Sequence, residues 1–179
     1  MLDYWKPVVH CRRVTLNFRH EGHVVTDEER IRVCEALELS HRECAQVVDS
    51  LTTAEQLHQF ALNYNPNDGV IPLLAVVRHP RCDAGTATFI YWLFEDLLFD
   101  SSLRALTAIK PAEWNCDAVL VVIERRFDSG DLATTEIYFN ALEECRCNVV
   151  QRNKLVTSGI NPSRMTPIGT NLIKRQWLP

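Results

Sequence analysis

Five carboxylates gather in one stretch of the chain: Glu95, Asp96, Asp100, Glu113 and Asp117. Clustered acids can hold a divalent metal for hydrolysis, but no histidine sits among them to complete a ligand set. They read instead as solvated helix ends, or as a surface that a basic partner would meet. His79 and Cys82, with Cys145 and Cys147, supply four zinc-type donors on paper. Structural zinc uses two tight pairs flanking a knuckle or helix, and this spacing does not. His79-Pro80-Arg81-Cys82 therefore reads as a connection between helices, with Cys82 a small buried apolar group. The sharper reading makes Cys82 a nucleophile activated by His79, its thiol pKa lowered beside the start of the next helix. Asn63-x-Asn65-x-Asn67 offers three oxygens to calcium. Asp68 stands where such a loop needs glycine and Leu74 where it needs a bidentate Glu, so calcium is rejected. The chain has no phosphate-binding glycine loop, HExxH, GxSxG or CxxC. No catalytic residue, metal or cofactor is expected.

The elements that must position these residues belong to a chain of 179 residues, 46% apolar, 23% charged and 8% aromatic. That is the composition of one soluble domain. Seven cysteines form no disulfide framework, which suits a reducing cytoplasm. No secretory leader or membrane-length apolar run is seen, so neither export nor a membrane partner is expected. The net charge of −4 argues against a nucleic-acid binder, yet it hides an asymmetry. Residues 1–25 carry +2, residues 27–144 carry −12, and residues 145–179 carry six basic groups and no acid. An acidic body with a basic tail suits attraction of a basic partner, or a tail lying across the body.

Residues 1–25 alternate apolar and polar around Val14, Leu16 and Phe18, predicting a short β or extended N-terminal segment. Three capping boxes then announce helices: Thr26 with Glu29, Ser40 with Glu43, and Thr52 with Glu55. Cys44, Val47, Val48 and Leu51, and then Leu57, Phe60, Ala61 and Tyr64, recur at the spacing of a packed helix face. A turn at 63–69 precedes a short, central helix over Val70 to Arg78, with Pro72 in its first turn and His79-Pro80 as its stop. Asp83 caps a helix predicted to run to about Leu98, and Asp100 caps another to about Ile109. The β-branched run from Asp117 to Phe127 could be a buried strand, but its surroundings favour a buried helix. Leu132, Phe139, Leu142 and Val149 predict a long helix from about Asp131 to about Val156. The expected architecture is mainly α: a single compact multi-helix domain over 26–158, after the 1–25 segment and before an irregular basic tail at 159–179.

Leu57-His58-Gln59-Phe60-Ala61-Leu62-Asn63-Tyr64-Asn65, Asp68-Gly69, His79-Pro80-Arg81-Cys82-Asp83-Ala84-Gly85-Thr86-Ala87 and Tyr91-Trp92 together resemble the bacterial domain of unknown function 4274 family, over about residues 50–100. The resemblance implies an all-helical fold with no established catalytic residue. Its members include apparent immunity partners of secreted antibacterial toxins. It thus implies a cytoplasmic, non-enzymatic inhibitor of a toxin of the type VI secretion kind, in a 1:1 complex. The acidic body suits a basic toxin such as a nuclease that must attract phosphates. Glu95, Asp96 and Asp100 are the expected partner contacts, with Trp114 as an aromatic anchor or else a core residue. The alternatives are a non-enzymatic adaptor or chaperone-like binding protein, and a hydrolase built on Cys82 and His79. Within the matched segment, Asn63, Asn65 and Asp68 shape the turn, and Gly85 allows close packing.

Overall fold

Polar residues able to close a first turn, followed by apolar residues three and four apart, set the helix boundaries. The computed structural model of the protein describes residues 27–144, 160 and 166–170. The expected strand at 1–25, the cap at Thr26 and the bulk of the tail at 159–179 lie outside them. The helices are α1 (Asp27–Leu37), α2 (His41–Val48), α3 (Ala54–Asn63), α4 (Ile71–Arg78), α5 (Ala84–Leu93), α6 (Glu95–Phe99), α7 (Ser101–Ala108), α8 (Cys116–Ser129) and α9 (Ala141–Glu144). Short 3-10 turns lie at Pro66–Asp68 and Ala112–Trp114. Among the described residues the fold is mainly helical, and the β pairing is one antiparallel bridge between Phe139 and Ile168. No helix there is long and apolar enough to cross a membrane.

Ser40 starts α2 as expected, its backbone N–H and hydroxyl both donating to the Glu43 carboxylate. The box expected at Thr52 and Glu55 sits one residue later. Thr53 is the cap, and its Oγ1 accepts from the Gln56 N–H at 3.2 Å. Thr53-x-x-Gln56 satisfies the same reciprocal pattern, and this register buries Gln56 beside Leu57 and Phe60. In the turn that follows, Asn65 Oδ1 accepts from the Asn67 N–H, and Gly69 has φ 113°.

α4 is central. It packs on α2, α3, α5 and α8, with Leu73, Val76 and Val77 fully buried. The β-branched run after Asp117 is a helix, α8, with Val119, Leu120 and Ile123 in the core. Arg126 near its end is buried too. Its guanidinium donates to the carbonyls of Val77 at 2.8 Å and His79 at 2.9 Å, and to the Asp131 carboxylate at 2.9 Å and carbonyl at 2.7 Å. A side chain of α8 thus supplies the donors that the last turn of α4 lacks.

Two expected helices are corrected. The one capped by Asp83 stops at Leu93, and Phe94, at φ −106° and ψ 33°, separates it from α6. Phe94 and Leu97 are both buried, so the break turns the chain to keep both in the core. The helix expected from Asp131 is absent over the first ten positions. Residues 131–140 are not helical, and only the four residues of α9 follow before the described stretch ends. Ile137 and Phe139 are buried while Glu136 is exposed, the alternation of an extended chain with one face inward.

Asp83 fixes that extended segment. Fully buried, its Oδ1 accepts from the Gly85 N–H at 2.6 Å. Its Oδ2 accepts from the Glu136 N–H at 2.8 Å and from the Thr134 hydroxyl. One carboxylate caps α5 and docks 134–136 against its first turn. Residues 166–170 also bond to this segment: Phe139 and Ile168 exchange backbone bonds at 2.9 Å, and Thr170 N–H donates to the Glu136 carbonyl.

Candidate interaction surface

Of the sequence-predicted contacts, Asp96 lies exposed on α6, and Glu95 opens that helix with its side chain outside the described set. Asp100 is exposed and caps α7, its Oδ1 accepting from the N–H groups of Ser102 at 2.9 Å and Leu103 at 3.0 Å. Trp114 sits in the 3-10 turn between α7 and α8 and is 36% exposed.

The other acids of the cluster are engaged. Glu113 pairs with Arg42 of α2 at 3.3 Å, and its carboxyl pKa is lowered, chiefly by its own backbone and then by Arg42. Asp117 and Glu124 of α8 both hold Arg104 of α7, Glu124 through a two-pronged contact at 2.9 and 3.0 Å. These bonds, led by Glu124, raise the Arg104 pKa. The α7–α8 hairpin is therefore clasped by an arginine whose charge is spent internally. Asp96 and Asp100 take part in no ion pair among the described residues.

The sequence reading missed the apolar part of this surface. Leu106 is 58% and Ile109 82% exposed, and Phe99 also reaches solvent. Their spacing resembled that of a buried stripe, and only the packing of α7 through Leu103, Arg104 and Thr107 shows which face points outward.

Cys82 and His79 each turn a side-chain atom to nearby backbone. Cys82 is fully buried, its Sγ 3.6 Å from the Asp83 carbonyl, and burial pushes its thiol pKa up to about 12 despite the nearby Arg126. The lowering expected from the helix start is outweighed by desolvation. His79 Nδ1 accepts from the Arg81 N–H at 3.1 Å, and burial lowers the His79 pKa. Among the described residues no three His, Cys, Asp or Glu side chains converge as metal ligands, while Cys145 and Cys147 lie outside that set.

Residues 52–106 match the model of a family described as a Domain of unknown function (DUF4274). No curated protein and no solved structure matches the chain. The DUF4274 segment runs from just before α3 into α7, so it holds Asp83, Gly85 and the buried His58–Thr86 pair. Residues beyond it complete that segment: Thr134 and Glu136 satisfy Asp83, and Arg126 caps α4. Trp114 and Ile109 also lie past its end.

Proposed function

We propose that this chain is an immunity protein, a non-enzymatic cytoplasmic inhibitor that binds and neutralises a cognate secreted antibacterial toxin. The toxin class that suits it best is a DNase effector of a type VI secretion system. The observation that carries the reading is electrostatic: residues 27–144 hold a net charge of −12, and Asp96 and Asp100 stand exposed beside helices clasped by Arg104. A nuclease must present positive charge to phosphates. A carboxylate-rich partner steers onto that cleft and screens it from DNA. The DUF4274 match supports the domain family, and the resemblance to a family with apparent immunity members supplies the direction. Glu95, Asp96, Asp100 and Trp114 are the proposed contacts in a 1:1 complex.

Co-expression with the protein encoded beside this chain tests the reading. The neighbour alone is expected to kill the host, and this chain to restore growth and co-purify with it. A harmless neighbour bound by this chain would favour the adaptor reading instead.

A further inference from the structure

The hairpin of α7 and α8 exposes large apolar side chains on a held backbone. Leu106 on α7 and Ile109, the residue that closes the helix, lie three apart and reach solvent, while Leu103 is half-buried and Thr107 buried. Asn115 Nδ2 donates to the Ala108 carbonyl at 3.2 Å, so the chain doubles back and sets Trp114 near the end of α7. The turn is anchored from outside as well. Val70 N–H donates to the Glu113 carbonyl at 2.8 Å, and Arg42 pairs with the Glu113 side chain. Such a surface gives up little conformational freedom when it is covered. Exposed Ala105 and Ala108 alternate with the bulky residues and leave room for a partner's side chains.

Charge selects the occupant. Arg104 and Arg126 of the hairpin, and Arg42 that reaches it from α2, are each tied to carboxylates; Lys110 and Arg125, like the exposed Asp96 and Asp100, have no ion pair among the described residues, and residues 27–144 as a whole carry −12. A second copy of the hairpin would bring like acids together, and so would an anionic lipid surface. A basic protein meets both the acids and the apolar centre.

We propose that Leu106, Ile109 and Trp114 form the apolar centre of a docking surface for a basic protein, with Asp96 and Asp100 as its charged margin. The identity of that protein as a toxin rests on the immunity reading. The surface extends beyond the DUF4274 segment, so partner choice is set partly by residues outside it.

The test is the affinity of purified full-length variants for the protein encoded beside this chain. Leu106→Asp with Ile109→Asp is expected to weaken binding by about 100-fold, and Trp114→Ala by about tenfold. Ile31→Asp with Leu39→Asp, at exposed apolar positions on and just after α1, is expected to stay within about threefold. Unchanged melting temperatures check that each variant is folded. Hairpin variants that bind like wild type would overturn the surface while leaving the immunity reading intact. A wild-type chain that does not bind the neighbour would remove both. Concentration-dependent self-association abolished by the Leu106 and Ile109 substitutions would also overturn the proposal, by naming a second copy as the occupant.

Discussion

The carbonyl oxygen of Ile137 stands where a side chain on Gly85 would begin: a Cβ there would lie 2.0 Å from it. A Cβ on Gly169, at φ +70°, would run into the same oxygen, so this stretch of backbone passes close to two glycines. Gly85→Ala must therefore displace backbone rather than a rotatable side chain. The expected loss is about 3 kcal/mol, at the upper end of overpacking costs, read as a lower denaturant midpoint with unchanged m.

Asp83 governs the same junction. Asp83→Ala strands the N–H groups of Gly85 and Glu136 and the Thr134 hydroxyl. A loss of about 2–4 kcal/mol is expected, since each buried donor left unmade costs about 1–3 kcal/mol and some regain water. Hydrogen exchange locates the effect: the Glu136 amide should lose protection before those of α4.

Arg126→Lys separates charge from geometry. A lysine keeps the positive charge but not the planar fork that reaches the Val77 and His79 carbonyls together with both Asp131 oxygens. Thermal unfolding should show a loss of about 2–3 kcal/mol, within the range for a broken buried charge network. A wild-type melting temperature would mean that the cap on α4 is dispensable.

How far such features could be read from the sequence depended on the reach of the interaction. Ser40, Asp83 and Asp100 announced helix starts because an N-cap bonds within three residues of itself. α4 was legible from Pro72 and Pro80, and α8 from the helical company it keeps. The break at Phe94 carries no glycine or proline, so nothing local marked it. In 131–140 the period of two at Ile137 and Phe139 was present, but the wider spacing of Leu132, Phe139 and Leu142 outweighed it. Arg126 looked like a polar helix end, because the carbonyls it caps lie on α4, far away in sequence. Trp114 left the sequence with two readings, surface anchor or core residue, and Leu106 and Ile109 needed the packing of α7 to show which way they face.

Two buried histidines make stability depend on acid. His58 Nδ1 lies 3.0 Å from Thr86 Oγ1, and burial holds the His58 pKa down at about 3 against an ordinary 6.5. His79 is lowered by burial as well. The unfolded chain therefore takes up protons below about pH 6.5 that the folded chain refuses. Stability is full above that pH and falls as the pH drops toward the folded-state values, by at most about 1.4 kcal/mol per pH unit for each histidine. Denaturant titrations at pH 7.5, 6 and 5 check this, and His58→Gln should flatten the slope even if it lowers the plateau. Stability unchanged from pH 7.5 to 5 would contradict it.

Charge reversal at Asp96 probes steering without touching a cap. Asp96→Lys should slow association with a basic partner by several-fold at low salt, with the difference shrinking above about 0.3 M as screening shortens the field. Asp100→Asn keeps an oxygen for the Ser102 and Leu103 N–H groups while removing the charge, and should add to the effect. Stopped-flow kinetics across a salt series give both rates.

The immunity role proposed above requires that this chain silence a nuclease by binding it. The most direct measurement incubates the purified neighbour-encoded protein with plasmid DNA while the chain is titrated in. DNA cleavage is expected to stop at one chain per toxin, with a 1:1 complex recovered by size exclusion. Intact DNA without the chain, or cleavage that persists in its molar excess, would contradict it.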